Sequence, residues 1–173
     1  VDIDHVFPVK GVGTVVLGRV RNGQITKGEK LFVHPSDRMC VLRSIQMHDI
    51  DHKTAVKNDR VGLALRGVLP KDVERGHILS DTENWEITDK VTVHLTLVPY
   101  AKKPKEGTSR HLIAGLQSSP VKILQSEEIP NKKEEYKLKL QIHREMLISE
   151  TETFVLIDLN ARPTIIGKCR KIS

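Results

Sequence analysis

Residues Val91 to Val98 read V-T-V-H-L-T-L-V. Val91, Val93, Leu95 and Leu97 fall on one face and Thr92, His94 and Thr96 on the other. That period of two belongs to an antiparallel strand with one face buried and one in water. The same signature recurs outward from this stretch. Toward the C-terminus, Leu138, Leu140 and Ile142 alternate with Lys139 and Gln141, and residues 111–116, 121–124, 154–159 and 164–172 are further strand candidates. Residues 127–135 allow a short helical turn, which Pro130 keeps from growing. Toward the N-terminus, Thr14 to Val20 (T-V-V-L-G-R-V) runs into Arg21-Asn22-Gly23, and Asn-Gly between two β-rich runs predicts a hairpin. Residues 30–34, 39–47, 61–65 and 78–79 complete that half, separated by turn signals such as Pro35-Ser36-Asp37. Residues 80–89 are polar and turn-rich and predict a linker. The turn spacing predicts an all-β chain of two domains, each a barrel or a sandwich, over roughly residues 1–84 and 88–173.

Composition narrows the function. Aromatic residues are 3% of the 173, so the cores must be built from Val, Leu and Ile. The net charge is +6, which suits a polyanionic partner but is modest for a dedicated nucleic-acid binder. The excess of cations is uneven, at +1 over residues 1–86 and +5 over 87–173, so a nucleic-acid backbone is expected to lean on the second half. No apolar run is long enough for a membrane-spanning helix, and no secretory leader opens the chain. Two cysteines, Cys40 and Cys169, far apart and without a CxxC partner, indicate a reducing, cytoplasmic setting. Val1 in place of Met is what a processed chain or a piece excised from a longer protein would show.

Several enzyme chemistries are near-misses. Gly23 to Gly28 has the glycine spacing of a phosphate-binding loop, but Glu29 stands where the lysine must be, and a carboxylate there repels phosphate. Gly11-Val12-Gly13 is followed by a β-rich stretch and not by the helix a dinucleotide loop needs. His48-Asp49-Ile50-Asp51-His52 has two imidazoles and two carboxylates, yet Asp49 and Asp51 read as turn residues and no third strong ligand is near. A solvated loop fits that segment better than a metal site. Cys40 lies within an apolar strand, where a thiol behaves as a small hydrophobe. No catalytic residue or metal site is expected, and the chain is not read as an enzyme.

One string carries a family resemblance. Asp4-His5-Val6-Phe7-Pro8-Val9-Lys10-Gly11-Val12-Gly13-Thr14-Val15-Val16 continues through Gly18-Arg19-Val20 to Gly23 and Lys27-Gly28-Glu29; Asp59-Arg60-Val61-Gly62-Leu63-Ala64-Leu65-Arg66-Gly67 and Val73-Glu74-Arg75-Gly76 follow. This resembles the second domain of the translational GTPases related to elongation factor Tu. Asp4-His5 before Val6-Phe7, Ser44-Ile45-Gln46-Met47, and Arg60 after Asp59 are most similar to the selenocysteine-specific elongation factors, SelB, of the archaeal and eukaryotic type. The tail, Leu156-Ile157-Asp158-Leu159 with Pro163-Thr164 and Gly167, is similar to the end of the family's third domain. Departures include Leu17 where a threonine is common and Asn58 in place of the usual glycine.

The resemblance implies an all-β fold of two antiparallel β-barrels packed side by side, over residues 1–84 and 85–173, and a binding module. GTP and Mg would belong to a GTPase domain absent from this chain, so the barrels themselves need no cofactor. The implied partners are aminoacyl-tRNA (selenocysteyl-tRNA in the SelB case), the ribosome and the protein's own GTPase domain, with no membrane. Asp4, His5 and Arg60 are implied to surround the amino-acid side chain. Lys102, Lys103, Lys105, Arg110, Lys168 and Arg170 are implied to meet the tRNA backbone. Two rivals stay open: a drifted or general translational GTPase relative that carries another aminoacyl-tRNA, and a protein-interaction module that binds no RNA.

Overall fold

The computed structural model describes residues 1–82, 85–149, 152–162 and 164–172. Two compact units divide the chain, Val1–Trp85 and Glu86–Ser173.

The first unit holds β1 (Asp2–Val9), β2 (Gly13–Arg19), β3 (Gln24–Thr26), β4 (Lys30–His34), β5 (Arg38–Met47), β6 (Ile50–His52), β7 (Thr54–Val56), β8 (Arg60–Arg66) and β9 (Ile78–Ser80). Antiparallel pairing runs β9-β1-β2-β8-β5-β4, and β4 pairs back to β9, so six strands close into a barrel. Closure removes the free edges that would otherwise pair with other chains. β6 extends the sheet beyond β5, and β3 pairs with β7 as a separate ribbon. The interior is aliphatic: Ile3, Val16, Leu31, Leu42, Ile45 and Leu63 are among its fully buried side chains.

The second unit holds β10 (Glu86–Leu97), β11 (Ser109–Ala114), β12 (Gln117–Glu128), β13 (Glu135–Ile148), β14 (Thr153–Ile157) and β15 (Ile165–Lys171). They close in the order β10-β13-β12-β11-β14-β15. The alternation of Val91 to Leu97 becomes an inward row of buried residues, with Leu138 and Leu140 facing it from β13 and Phe154 and Leu156 from β14.

Three local expectations need correction. Asn22-Gly23 is a turn, with Gly23 at φ 68°, but not a hairpin: β2 pairs with β1 and β8, and β3 pairs with β7. The hairpin forms one connection earlier, at residues 10–12, where Val12 N–H donates to the Val9 carbonyl at 3.0 Å. Half of the linker expected over residues 80–89 is strand, because β9 ends at Ser80 and β10 begins at Glu86. Residues 83, 84 and 163, parts of the expected linker and tail motif, lie outside the described residues. The segment 129–134 is a turn between two strands with no helix in it.

Both thiols are buried, and burial pushes the Cys40 thiol up to about 11 and the Cys169 thiol up to about 12. The thiolate is the reactive form. The folded chain is therefore expected not to react with a thiol reagent at mildly alkaline pH, and to release two equivalents in denaturant, measured by absorbance. Prompt labelling of either cysteine in the folded chain would contradict this burial.

Candidate functional site

The site expected from the sequence begins at a β-bulge. Along β1 and β2, Ile3 faces Gly18 and His5 faces Leu17, so Asp4 is an extra residue without a partner. A bulge lets a strand re-aim one side chain while its neighbours keep their facing. Ile3 stays in the core, the His5 side chain is 65% exposed, and Asp4 turns to Arg75. The Arg75 Nε donates to Asp4 Oδ1 at 3.0 Å, and His5 Nδ1 lies 3.4 Å from Asp4 Oδ2. Gly18 makes the close approach possible: a Cβ there would sit 2.3 Å from the Asp2 carbonyl oxygen.

Arg60 opens β8, exposed, directly opposite Arg19 of β2. Arg19 Nη2 donates to Asn58 Oδ1 at 2.8 Å, and Arg60 has no ion pair among the described residues. Asn58 sits at φ 80°, a conformation that explains why glycine serves there and why asparagine, among side chains, tolerates it. Two like charges facing each other across strands repel, which an anion placed over them relieves.

Between His5 and β5 runs an outward-facing row set by register. His5 faces Leu17, Leu17 faces Gly62, and Gly62 faces Gln46. Gly62 leaves the row open in the middle, with the Leu17 side chain 3.5 Å from where a Cβ would be. Leu17 is 43% exposed and floors a shallow surface bounded by an imidazole and an amide, with Arg19 and Arg60 two pairs further along. Gln46 is held by Asp51, to which its Nε2 donates at 3.0 Å. The structure thus brings His5 and Arg60 to one face, two strands apart, and sends Asp4 to Arg75. Arg75, Arg19 and Gln46 are the residues the sequence reading did not assign to this face.

The six expected backbone contacts divide. Lys168 and Arg170 point outward from β15, opposite Thr96 and His94 of β10. His94 in turn faces Lys137 of β13, and Thr92 faces Lys139. Arg170, Lys168, Lys137 and Lys139 therefore form a basic strip over three strands, with the His94 Nε2 drawn to Glu135 Oε2 at 2.7 Å. Lys102 and Lys105 are exposed in the loop before β11. Lys103 pairs with Glu128 at 2.5 Å, and its hydrogen bond and charge hold that carboxyl below the usual carboxylate range. Arg110 is turned inward, 17% exposed, with Nη2 3.3 Å from Asp158 and Nη1 donating to the Ser109 carbonyl.

The remaining near-misses have structural roles. Glu29 accepts a hydrogen bond from the Thr26 N–H at 2.7 Å, closing the turn after β3, so Gly23 to Gly28 does not fit a phosphate loop. His48 and Asp49, both at positive φ, form the two-residue turn between β5 and β6.

Comparison with known proteins gives this geometry a context. The Elongation factor Tu domain 2 family matches residues 13–80. Over 96% of its length the chain is 38% identical to an uncharacterised protein of Methanocaldococcus jannaschii, spanning 52% of it. It is 31% identical to the selenocysteine-specific elongation factor of the same organism, again over 96% of this chain and over 39% of that protein. Against elongation factor 1-alpha of Cenarchaeum symbiosum it is 39% identical over 49% of this chain. The apo crystal structure of translation elongation factor SelB from Methanococcus maripaludis superposes with a TM-score of 0.87 at 26% identity, covering 99% of this chain and 41% of that one. The chain spans about half or less of the length of these relatives. It is a pair of barrels of the elongation factor Tu domain II and domain III type, homologous to archaeal SelB and to elongation factor 1-alpha.

Proposed function

We propose that these barrels are the aminoacyl-tRNA-binding part of a SelB-like elongation factor, holding selenocysteyl-tRNA for delivery to the ribosome. The observation that carries the reading is the outward row from His5 to Gln46 with Arg60 beside it and free of any ion pair among the described residues, on the barrel that matches elongation factor Tu domain 2. A selenol is more acidic than a thiol and is largely an anion near neutral pH. Arg60, always charged, favours that anion, and His5 supplies a hydrogen bond. Asp4, tied to Arg75, orients His5 from behind. A seryl group is neutral and leaves the paired cations uncompensated, which is how a site rejects an analogue. On the second barrel, Lys168, Arg170, Lys102 and Lys105 meet tRNA phosphates, with Lys103 and Arg110 reaching them only by leaving Glu128 and Asp158. Such contacts position the tRNA and weaken with salt.

A specific observation favours a second reading. Methanocaldococcus jannaschii has both a selenocysteine-specific factor and the uncharacterised relative, and this chain is the more similar to the latter, at 38% against 31%. A drifted factor with another aminoacyl-tRNA fits that ranking.

The test compares the affinity of the full-length natural protein, with a GTP analogue, for selenocysteyl-tRNA and seryl-tRNA built on one tRNA body. The expected preference is about tenfold, or ~1.4 kcal/mol, and Arg60→Ala should abolish it while leaving seryl-tRNA binding unchanged. Equal affinities would establish the drifted factor, and no binding to either would leave a protein-interaction module.

A further inference from the structure

His34 ends β4 with its side chain wholly buried, although both ring nitrogens are polar. Its Nδ1 lies 2.5 Å from Asp37 Oδ1, in the turn between β4 and β5. Its Nε2 lies 3.0 Å from the Thr82 carbonyl oxygen and 3.1 Å from the Ser80 hydroxyl. Ser80 closes β9, and Thr82 and Trp85 follow it where the chain leaves the first barrel. The Trp85 ring packs against the imidazole with centroids 5.9 Å apart, and its Nε1 donates to the Ser80 hydroxyl at 3.2 Å. That hydroxyl also accepts from the Thr82 N–H at 3.1 Å and donates to the Thr82 carbonyl at 2.7 Å. One buried imidazole thus ties a turn, a strand end and the departing chain together.

The partners of the ring fix its protons. A neutral imidazole has one N–H and one bare nitrogen, and only the imidazolium donates from both. A carboxylate and a carbonyl accept and cannot donate. Asp37 at Nδ1 and the Thr82 carbonyl at Nε2 therefore call for a proton on each nitrogen. A buried charge persists only when it is paired and hydrogen-bonded. Among the described residues Asp37 is the ring's one ion-pair partner. Of the other elements around it, β9 contributes Ile78, Leu79 and Ser80, none of them charged. Arg38, at the start of β5, is turned to Asp72 at 3.5 Å, and Asp81 is exposed.

We propose that His34 is a proton-operated latch on the chain leaving the first barrel: doubly protonated it holds Thr82, and loss of one proton releases that hold. With the Nδ1 proton kept toward Asp37, a neutral ring sets the bare Nε2 lone pair 3.0 Å from the Thr82 carbonyl oxygen, which repels it. The Ser80 hydroxyl relieves the repulsion by turning its proton to Nε2, and that takes the proton from the Thr82 carbonyl. Both donors to the carbonyl are then gone, and the Ser80 lone pairs swing away from the Thr82 N–H and the Trp85 Nε1. Leaving such polar groups unmet is costly, so Thr82 and Trp85 lose their grip on the barrel end. Imidazole is the side chain that exchanges its proton near neutrality, so the hold on the departing chain follows pH. None of these residues lies on the row from His5 to Gln46, so this proposal and the tRNA reading stand or fall separately.

The test is a pH titration of the full chain, with the His34 ring followed by nitrogen NMR and Trp85, the single tryptophan, by its emission. Both ring nitrogens are expected to carry protons at the acidic end, and Nε2 alone to lose its proton as the pH rises. The Trp85 emission should change in the same one-proton step while the far-ultraviolet circular dichroism stays constant. Asp37→Asn should move that step to lower pH, because the carboxylate that favours the charged ring is gone. Asparagine tolerates the φ of 49° that Asp37 holds, and the side chain is 52% exposed, so this variant should fold. Ser80→Ala should move the step to higher pH, because the neutral ring loses the hydroxyl that donates to it. A ring whose protonation never changes while the chain stays folded overturns the proposal. So does a Trp85 emission that is flat through the step, or a step that Asp37→Asn leaves in place.

Discussion

Replacing Gly167 with alanine should destabilise the second barrel by about 3 kcal/mol, at the upper end of what overpacking usually costs. Gly167 lies on β15 between Leu97 of β10 and Leu156 of β14. A Cβ there would stand 2.2 Å from the Thr96 carbonyl oxygen and 2.8 Å from the Leu95 side chain. The first neighbour is backbone, so no rotamer change relieves the clash, and β15 must move off β10. In a closed barrel that movement opens the ring, because each strand is held on both sides. For a unit of this size the thermal midpoint should fall by roughly 12–24 °C, read by calorimetry or circular dichroism. A fall of only a few degrees would mean that β15 shifts at little cost and that the close approach is not what demands glycine.

Phe154→Ala should injure the same barrel in the opposite way, by leaving it underfilled. With aromatics only 3% of the chain, the interior is nearly all branched aliphatic, and Phe154 is the largest of its fully buried side chains. Removing it forfeits the transfer energy of the ring and leaves a void that the surrounding aliphatic core fills only in part. The expected cost is about 4 kcal/mol. A unit the length of Glu86–Ser173 is worth only about 4–13 kcal/mol in all, so the variant should lose from about a third to all of that stability. Urea titration is the check, with a lower midpoint and an unchanged slope. A loss below about 2 kcal/mol would show that the barrel collapses onto the space.

Inward and outward faces were legible in the sequence because each strand has one face in the core and one in water. Val93, Leu95, Leu138 and Leu140 announce that difference residue by residue. Partner choice was not legible. Asn22-Gly23 turns the chain as its composition demands, but a turn does not say which strand receives the next one. Here the Asn58 N–H donates to the Val20 carbonyl at 2.8 Å, and β3 comes to lie beside β7, not β2. The candidate site was half legible for the same reason. His5, Arg60 and Arg75 all stand in recognisable strings, but nothing in those strings joins Arg75 to the Asp4 carboxylate 71 positions away. Lys139 reads in the sequence only as a spacer between Leu138 and Leu140, and only strand order puts Lys137 in line with Arg170 through His94.

Two bulges of the first barrel have an evolutionary consequence. Asp4 and Arg43 are supernumerary in their ladders, so neither is bound by the in-out alternation that fixes Ile3 and Leu42 one residue away. An exchange at either position alters what the surface offers a ligand without repacking the interior. The barrel can therefore diversify its specificity at two points while its architecture is inherited intact, and lineages that share this scaffold are free to part company there first.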